Sequence, residues 1–136
     1  MKCCDSGLLR RKKAAESLYE YSLNLFENGM ENLIILGDWN DDLRDKQGEH
    51  CFAPFLADPL FFFANEPLLN DENNVSYPKL PYRSFLDHIL VTKEFLNPES
   101  DYRVATLPVE AYFGSFENYE KLISDHKPVM VGIPIQ

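Results

Sequence analysis

The stretch at residues 32–42, NLIILGDWNDD, constrains this chain most, because an aliphatic run changes abruptly into a cluster of oxygen-bearing side chains. Residues 33–36 show no alternation of apolar and polar side chains, so they predict a strand covered on both faces in the middle of a layered α/β protein. Ligand sites of such proteins lie beyond the carboxyl ends of strands, where Asp38 and Asn40 fall. These side chains are two residues apart and point to the same side of an extended chain. The stretch therefore predicts a site for a water, a metal ion or a phosphoryl oxygen.

Two further strand-like runs carry adjacent Asp and His residues, FLDHILV at residues 85–91 and SDHKPVMV at residues 124–131. An aspartate in an otherwise apolar strand, such as Asp87, needs a partner for its charge. A histidine such as His126 titrates near neutral pH, so it can take a proton from water and later return it. His88, on the opposite face of its strand from Asp87, is interpreted as structural. An Asp-His pair at a strand start is common, so these motifs gain weight from occurring together.

The three motifs GDWND, LDHI and SDHKPV, in this order, resemble the endonuclease/exonuclease/phosphatase superfamily. Its members are divalent-metal-dependent phosphoesterases with the fold of deoxyribonuclease I. The resemblance implies an α/β (α+β) fold, namely the C-terminal half of a four-layer αββα sandwich, with a mixed β-sheet flanked by helices. We accordingly expect residues 1–136 to form a single domain that is a truncated C-terminal half, since the metal-binding glutamate of the family's first half has no counterpart here.

The resemblance also implies a role for each motif residue. His126 would act on the attacking water or on the scissile phosphate, and Asp87 would orient its ring. Asp38 would position the nucleophile or a metal ion, the amide of Asn40 would donate to a phosphate oxygen, and Asp125 would lie at the metal. The predicted catalytic residues are thus His126, Asp87, Asp38 and Asn40, the phosphate-binding residues are Asn40 and His126, and the metal ligands are Asp125 and Asp38. Oxygen ligands suit hard cations, so the expected cofactor is Mg²⁺ or Mn²⁺.

The net charge and the hydropathy of the chain limit the classes of substrate that it is expected to bind. The net charge is −9, from 22 acidic and 13 basic residues, which disfavours non-specific binding to a polyanion. A bound divalent cation reverses the local field, so a nuclease is not excluded, but smaller phosphoesters fit this charge better than long duplex DNA. No run of 18 apolar residues is present, which predicts no membrane span. The cellular location is not determined by these features.

Two functions remain open. In the first, the chain is part of a metal-dependent phosphoesterase, a nuclease or a phosphatase, and is inactive alone because the first half is missing. In the second, it is a non-catalytic binding or self-assembly module that retains the family motifs. An exposed apolar sheet face would favour a homodimer that imitates the two-sheet sandwich, or binding of the missing N-terminal half.

The rest of the chain predicts the following elements. An amphipathic helix is expected at residues 8–27, capped by Asp5 or Ser6 and ended by Asn28-Gly29. Further predictions are core packing of the three phenylalanines at residues 61–63, a long loop at 65–82, strands at 102–109 and 129–135 with the second one buried, an exposed His50, and Asp41 and Asp42 without a catalytic role.

Overall fold

The computed structural model describes residues 6–133. Its three α-helices are α1 (Ser6–Glu27), α2 (Ala53–Leu56) and α3 (Phe116–Leu122). Its five strands are β1 (Ile34–Asp38), β2 (Phe61–Phe63), β3 (Asp87–Thr92), β4 (Arg103–Thr106) and β5 (Val129–Gly132). Two 3₁₀ turns, Glu66–Asn70 and Val109–Phe113, lie within longer connections. The combination of helices with antiparallel sheets confirms the predicted mixed α/β class.

Helix α1 confirms the prediction from helical periodicity. Its buried residues Ala15 and Ser22 are seven positions apart, or two turns, so they lie on the face that meets the core. The helix ends before Gly29, whose φ of +86° is the left-handed conformation expected of a glycine that follows a helix. Of the two predicted capping residues, Asp5 lies outside the described residues.

The first sheet has the order β1-β3-β2 and is antiparallel throughout. Its register pairs Asp38, the last residue of β1, with Asp87, the first residue of β3. Directly opposite residues of an antiparallel pair point to the same face, with Cβ atoms about 5 Å apart. The sheet register therefore brings two of the sequence motifs together at one end of the sheet.

The prediction that residues 33–36 form a strand covered on both faces is wrong. Strand β1 is an edge strand, and the side chains of Ile34 and Leu36 are 40% and 65% exposed. The covered strand is β3, in which every residue from His88 to Thr92 is buried. An aliphatic run without alternation occurs in central strands and also in edge strands such as β1, so the pattern alone could not distinguish the two positions.

Strand β3 lies between two apolar cores. Leu90 packs with Phe52, Phe55, Phe61 and Phe63 against α1 on one face. Ile89 and Val91, the neighbours of Leu90 in the strand, point to the other face. There they pack against Val104 of β4 and Val129 of β5. Phe61 and Phe63 are buried in the first core, and Phe62 packs against the second, so the predicted core packing of the three phenylalanines is confirmed.

Strands β4 and β5 form a second, two-stranded antiparallel sheet. The predicted strand at residues 102–109 is observed as Arg103–Thr106, and the predicted final strand at 129–135 ends at Gly132. This final strand is half-buried rather than buried, because Met130 faces outward and is 40% exposed. His126 lies shortly before β5, so the contact of β5 with β3 brings it to the first sheet. Across residues 6–133, none of the helices combines the length and hydropathy that crossing a membrane requires.

Candidate functional site

Three predicted site residues from three separate motifs converge at one point. One ligand atom each from Asp38, Asp87 and His126 lies within 4.8 Å of the other two. Asp38 and Asp87 are placed by the register of β1 on β3, and His126 is placed by the segment that leads into β5. The site therefore depends on both sheets of the described structure.

Asp87 and His126 form a hydrogen-bonded pair. The ring Nδ1 lies 2.7 Å from Asp87 Oδ2, and the two side chains are 22% and 23% exposed. With Nδ1–H donating to the carboxylate, Nε2 is the ring nitrogen left to meet water or substrate. Partial burial strengthens this bond while leaving the ring accessible. The arrangement is that of a general base oriented by a carboxylate.

The electrostatic surroundings raise the pKa of His126 above its ordinary value. Burial of the ring disfavours the charged form and lowers the pKa, but the hydrogen bond and charge of Asp87 outweigh this effect. Asp38 and Asp125 add to the increase through their charges. Three carboxylates thus favour an imidazolium at this position, which suits a group that must hold a proton after taking it from water.

Asp38 and Asn40 are joined by a tight turn. The backbone N–H of Asn40 donates to Asp38 Oδ1 at 2.8 Å, and Asn40 has a φ of +55°. Asparagine tolerates this left-handed conformation better than most residues, and an aspartate that accepts from the backbone two residues on forms an Asx turn. Both side chains are exposed and line the same cleft. They face one site as expected, but a turn rather than an extended strand places Asn40 there.

The cleft that contains these groups has a volume of about 390 Å³. Its wall combines the polar residues Asp38, Asn40 and His126 with four residues from the segment before β3, namely Tyr77, Tyr82, Ser84 and Leu86. A few convergent polar groups on a partly apolar wall are typical of a small-molecule site.

Asp125 lies next to this group but is not part of it. The side chain is half-buried, and its charge raises the pKa of both His126 and Lys79. Among the described residues, the cluster of candidate ligand atoms contains Asp38, Asp87 and His126 without Asp125. The structure therefore places Asp125 within electrostatic range of the site, and its predicted role as a metal ligand stays a prediction.

Asp41 and Asp42 hold the motif in place from inside the protein. Asp41 is buried, forms an ion pair with Arg11 at 2.8 Å and accepts from the backbone N–H of Cys51. Asp42 accepts from the backbone N–H of Phe85 at 2.8 Å, which ties the end of β1 to the segment before β3. These contacts give both carboxylates structural partners away from the cleft.

His88 and His50 are both buried, so the prediction of an exposed His50 is wrong. His88 Nδ1 accepts from the amide of Asn65 and its Nε2 donates to the carbonyl of Asp41, both at 3.0 Å. Burial lowers the pKa of His88, which keeps the ring neutral in this arrangement. His50 Nδ1 accepts from the backbone N–H of Phe52, a local turn contact that no spacing rule predicts.

Two positioning residues escaped the sequence-based predictions. The buried hydroxyl of Ser76 accepts from the backbone N–H groups of Leu86 and Asp87, and the Ser76 carbonyl accepts from Lys127 N at 2.7 Å. Tyr119 donates its hydroxyl to the carbonyl of His126 at 2.9 Å. Ser76 thereby ties the strand that carries Asp87 to the segment that carries His126. A serine in a long loop gives no sequence signal for such a role.

A comparison with known protein families identifies the family of this chain. The model of the Endonuclease/Exonuclease/phosphatase family matches residues 2–126, a span that includes the first two motifs and the first three residues, Ser124 to His126, of the third. The chain belongs to the endonuclease/exonuclease/phosphatase family. Enzymes of this family act on phosphoesters and generally use a divalent metal, which agrees with a phosphoesterase-type function for this chain. Neither the curated proteins nor the solved structures contain a significant match.

The residues present fit a divalent metal of the family type. Asp38 and Asp87 supply carboxylate oxygens, the ligands that hard cations prefer. Mg²⁺ is commonly held by one or two carboxylates together with phosphate oxygens of the substrate and water. Because Asp87 already accepts from His126, Asp38 is the carboxylate of this cluster that is more available to a cation.

We predict that Ser76→Ala loosens the link between Asp87 and His126. Two half-buried N–H groups would lose their acceptor, at a cost of about 1–2 kcal/mol in the free energy of unfolding. Urea unfolding measures this cost, and amide hydrogen exchange of Leu86 and Asp87 should become faster. Ser22→Ala is the matched control, because Ser22 is equally buried but donates to the carbonyl of Leu18 within α1. Unchanged exchange at Asp87 in Ser76→Ala would contradict the assigned role.

We also predict that NMR titration of His126 gives a pKa above the ordinary value of about 6.5, and that Asp87→Asn lowers it. A histidine whose pKa is higher in the folded protein than in the unfolded chain stabilises the fold fully below the unfolded value. This contribution is lost as the pH rises through the raised folded value. The free energy of unfolding of the wild type should therefore decrease as the pH rises above about 6.5, and the decrease should be smaller in Asp87→Asn. A His126 pKa that is insensitive to Asp87→Asn would refute the pairing in solution.

Proposed function

We propose that this chain forms part of a divalent-metal-dependent phosphoesterase, a nuclease or a phosphatase, that hydrolyses a phosphoester by in-line attack of an activated water. The supporting observation is the 2.7 Å bond between His126 Nδ1 and Asp87 Oδ2, with Asp38 in the same cluster at the wall of one cleft. The cation would be Mg²⁺ or Mn²⁺, consistent with the carboxylate donors.

In this proposal, His126 and Asp87 handle the proton. Asp87 keeps the proton of the neutral ring on Nδ1, which leaves Nε2 to accept a proton from the attacking water or to contact the scissile phosphate. The imidazolium that results lies beside the charges of Asp87, Asp38 and Asp125, which stabilise it. In an in-line displacement the leaving oxygen lies on the opposite side of phosphorus, so it takes its proton from solvent water, and the imidazolium returns its own proton to solvent.

Asp38 and Asn40 bind rather than transfer protons. Asp38, together with Asp125, would hold the cation, and the side-chain amide of Asn40 would donate to a phosphate oxygen. The turn between them supports this division, because the hydrogen bond from Asn40 N to Asp38 Oδ1 fixes both residues at the mouth of the cleft. When bound, the cation neutralises charge that develops on the phosphoryl oxygens.

We further propose that residues 1–136 alone hydrolyse phosphoesters slowly or not at all. The described cluster has two carboxylates, and one of them is engaged with His126. A single available carboxylate, even with Asp125 nearby, holds Mg²⁺ weakly because that ion demands six well-placed ligands. Additional ligands from outside these residues would complete the site.

We predict that substoichiometric Mn²⁺ broadens the amide NMR signals of Asp38, Asp87 and His126 and that Asp38→Asn weakens this effect about tenfold, a carboxylate ligand being worth more than 1 kcal/mol. The exposed loop residue Asp101 gives the control Asp101→Asn, which should leave the broadening unchanged. Chelation of the metal should restore every signal. Broadening that spreads over all exposed carboxylates and ignores Asp38→Asn would refute the metal site.

A second measurement is the rate at which residues 1–136 hydrolyse bis-p-nitrophenyl phosphate in the presence of Mn²⁺. We expect the rate with residues 1–136 to stay near that of Mn²⁺ alone. Metal-dependent turnover that is abolished by His126→Ala would support the proposed chemistry and overturn the proposal that the isolated chain is inactive. Turnover that survives His126→Ala would instead contradict the role of His126.

A second candidate function is assembly with another copy of the chain. It is favoured by strand β1, an edge strand among residues 6–133, whose Ile34 and Leu36 side chains are exposed and whose Leu36 lines a groove of about 570 Å³ against α1. Unpaired edges of this kind pair readily with a second strand. Two β1 strands that pair across a two-fold axis would extend the first sheet from three strands to six.

We predict from this second candidate that sedimentation shows a monomer–dimer equilibrium and that Leu36→Lys shifts it to monomer, since a lysine on an edge strand opposes pairing. Leu122→Lys is the control, because Leu122 of α3 is 72% exposed on another element. A purely monomeric chain at 100-fold higher concentration than the phosphoesterase experiments use would exclude self-assembly without affecting the first proposal.

A further inference from the structure

The candidate site opens onto an aromatic wall that the proposed chemistry does not use. Tyr77 and Tyr82 line the same cleft as Asn40 and His126. The ring of Tyr77 lies against that of His126, with centroids 5.1 Å apart, so it supports the catalytic histidine. Tyr82 is 74% exposed, although it belongs to a cleft rather than to an open surface. A tyrosine ring offers a large, flat apolar area at low cost in conformational entropy, which makes it an effective binding surface.

Tyr82 is held on a short, well-anchored hairpin rather than on a loose loop. Tyr77 and Ser84 form an isolated antiparallel bridge, with backbone hydrogen bonds of 2.9 Å in both directions. The hydroxyl of Ser84 donates to the Tyr82 carbonyl at 2.8 Å, and Arg83 donates to the carbonyl of Asn73. These contacts fix the backbone on both sides of Tyr82. A ring on a pre-organised backbone loses little freedom when a ligand covers it.

The charge of the cleft restricts its ligand. Among the described residues, those that line the cleft include no lysine or arginine. The neighbouring cations have other contacts: Lys79 and Lys127 form ion pairs with Glu120 and Glu110, and the guanidinium of Arg83 donates to the carbonyl of Asn73. With His126 and a single cation as the positive charges, the cleft can balance one phosphate. It lacks the basic residues that recognition of several phosphates requires.

We propose that the substrate class of this site is a small phosphodiester that carries a planar aromatic group, with that group stacked on Tyr82. This inference rests on the proposed function, because it takes the phosphate to lie between Asn40 and His126. The ring of Tyr82 provides the stacking surface, and the apolar side chain of Leu86 lines the same cleft. Tyr82 is then a specificity-determining residue that contacts the substrate away from the reacting atoms.

The test compares two monoanionic diesters of similar size, diphenyl phosphate and dicyclohexyl phosphate, whose rings are planar and puckered respectively. Binding to residues 1–136 is followed by NMR in the presence of Mg²⁺, because it does not require turnover. Diphenyl phosphate should bind at least threefold more tightly, and its shifts should include the signals of Asn40, Tyr82 and His126. Tyr82→Ala should weaken diphenyl phosphate binding about three- to tenfold, the range expected for loss of one aromatic contact, and leave dicyclohexyl phosphate nearly unchanged.

Two control variants make the outcome specific. Tyr82→Phe should retain the preference, because it keeps the ring and removes only the hydroxyl. Tyr21→Ala removes another exposed tyrosine, on α1, that is not part of the cleft, and this variant should bind both esters like the wild type. Chemical shifts far from the substitution will show whether each variant keeps its fold.

The possible results separate this inference from the function on which it rests. If both esters bind equally at Asn40 and His126 and Tyr82→Ala changes neither, the phosphate site stands and the aromatic specificity is overturned. If Tyr82→Phe loses the preference, the hydroxyl rather than the ring is responsible, and stacking is overturned. If neither ester nor inorganic phosphate shifts Asn40 or His126 at a Mg²⁺ concentration that saturates the metal-induced shift of Asp38, the proposed function fails, and the inference fails with it.

Discussion

The site depends on one charged residue at the beginning of a strand that is otherwise buried on both faces. Strand β3 is enclosed by two apolar cores from His88 onward, and Asp87 precedes this enclosed part. A carboxylate at that position is partly withdrawn from water, so a hydrogen-bonded partner of opposite charge lowers its free energy. His126 is that partner, at 2.7 Å. The tight packing of β3 therefore fixes Asp87, and Asp87 in turn fixes the imidazole.

The surrounding polar residues divide between those that face the cleft and those that form hydrogen bonds inside the protein. In the motif at the end of β1, Asp38 and Asn40 face the cleft, while Asp41 and Asp42 accept hydrogen bonds inside the protein. The same division applies to the two histidines that follow aspartates, since His126 is accessible and His88 is buried and neutral. Acidic residues that are close in sequence thus have different surroundings, and the turn at Asn40, with a φ of +55°, lies between Asp38 and the internal pair Asp41 and Asp42.

Membership in the endonuclease/exonuclease/phosphatase family and the geometry of the site support each other. The family match includes Asp38, Asp87 and His126, one residue from each motif, and the fold brings ligand atoms of these three side chains within 4.8 Å of one another. The family is compatible with many phosphoesters, because substrate selection on a shared fold resides in the residues around the reacting groups. In this chain the cleft is lined by Tyr77, Tyr82 and Leu86 from the segment before β3, and its described lining includes no lysine or arginine, which is the basis of the proposed substrate class.

The sequence by itself determined the long helix α1, the core packing of the phenylalanines in β2, and the motifs whose residues meet at the site. These features follow from local periodicity, from hydrophobicity and from the chemistry of a few side chains, all of which can be read along the chain. The tertiary structure decided which strand is central, because an aliphatic run such as residues 33–36 has the same appearance at an edge as in the middle of a sheet. It also decided the burial of His50 and the positioning role of Ser76, since each depends on backbone groups that lie close only after folding. Hydrogen bonds between distant segments have no periodicity in sequence, so only the assembled structure shows which residues hold Asp87 and His126 together.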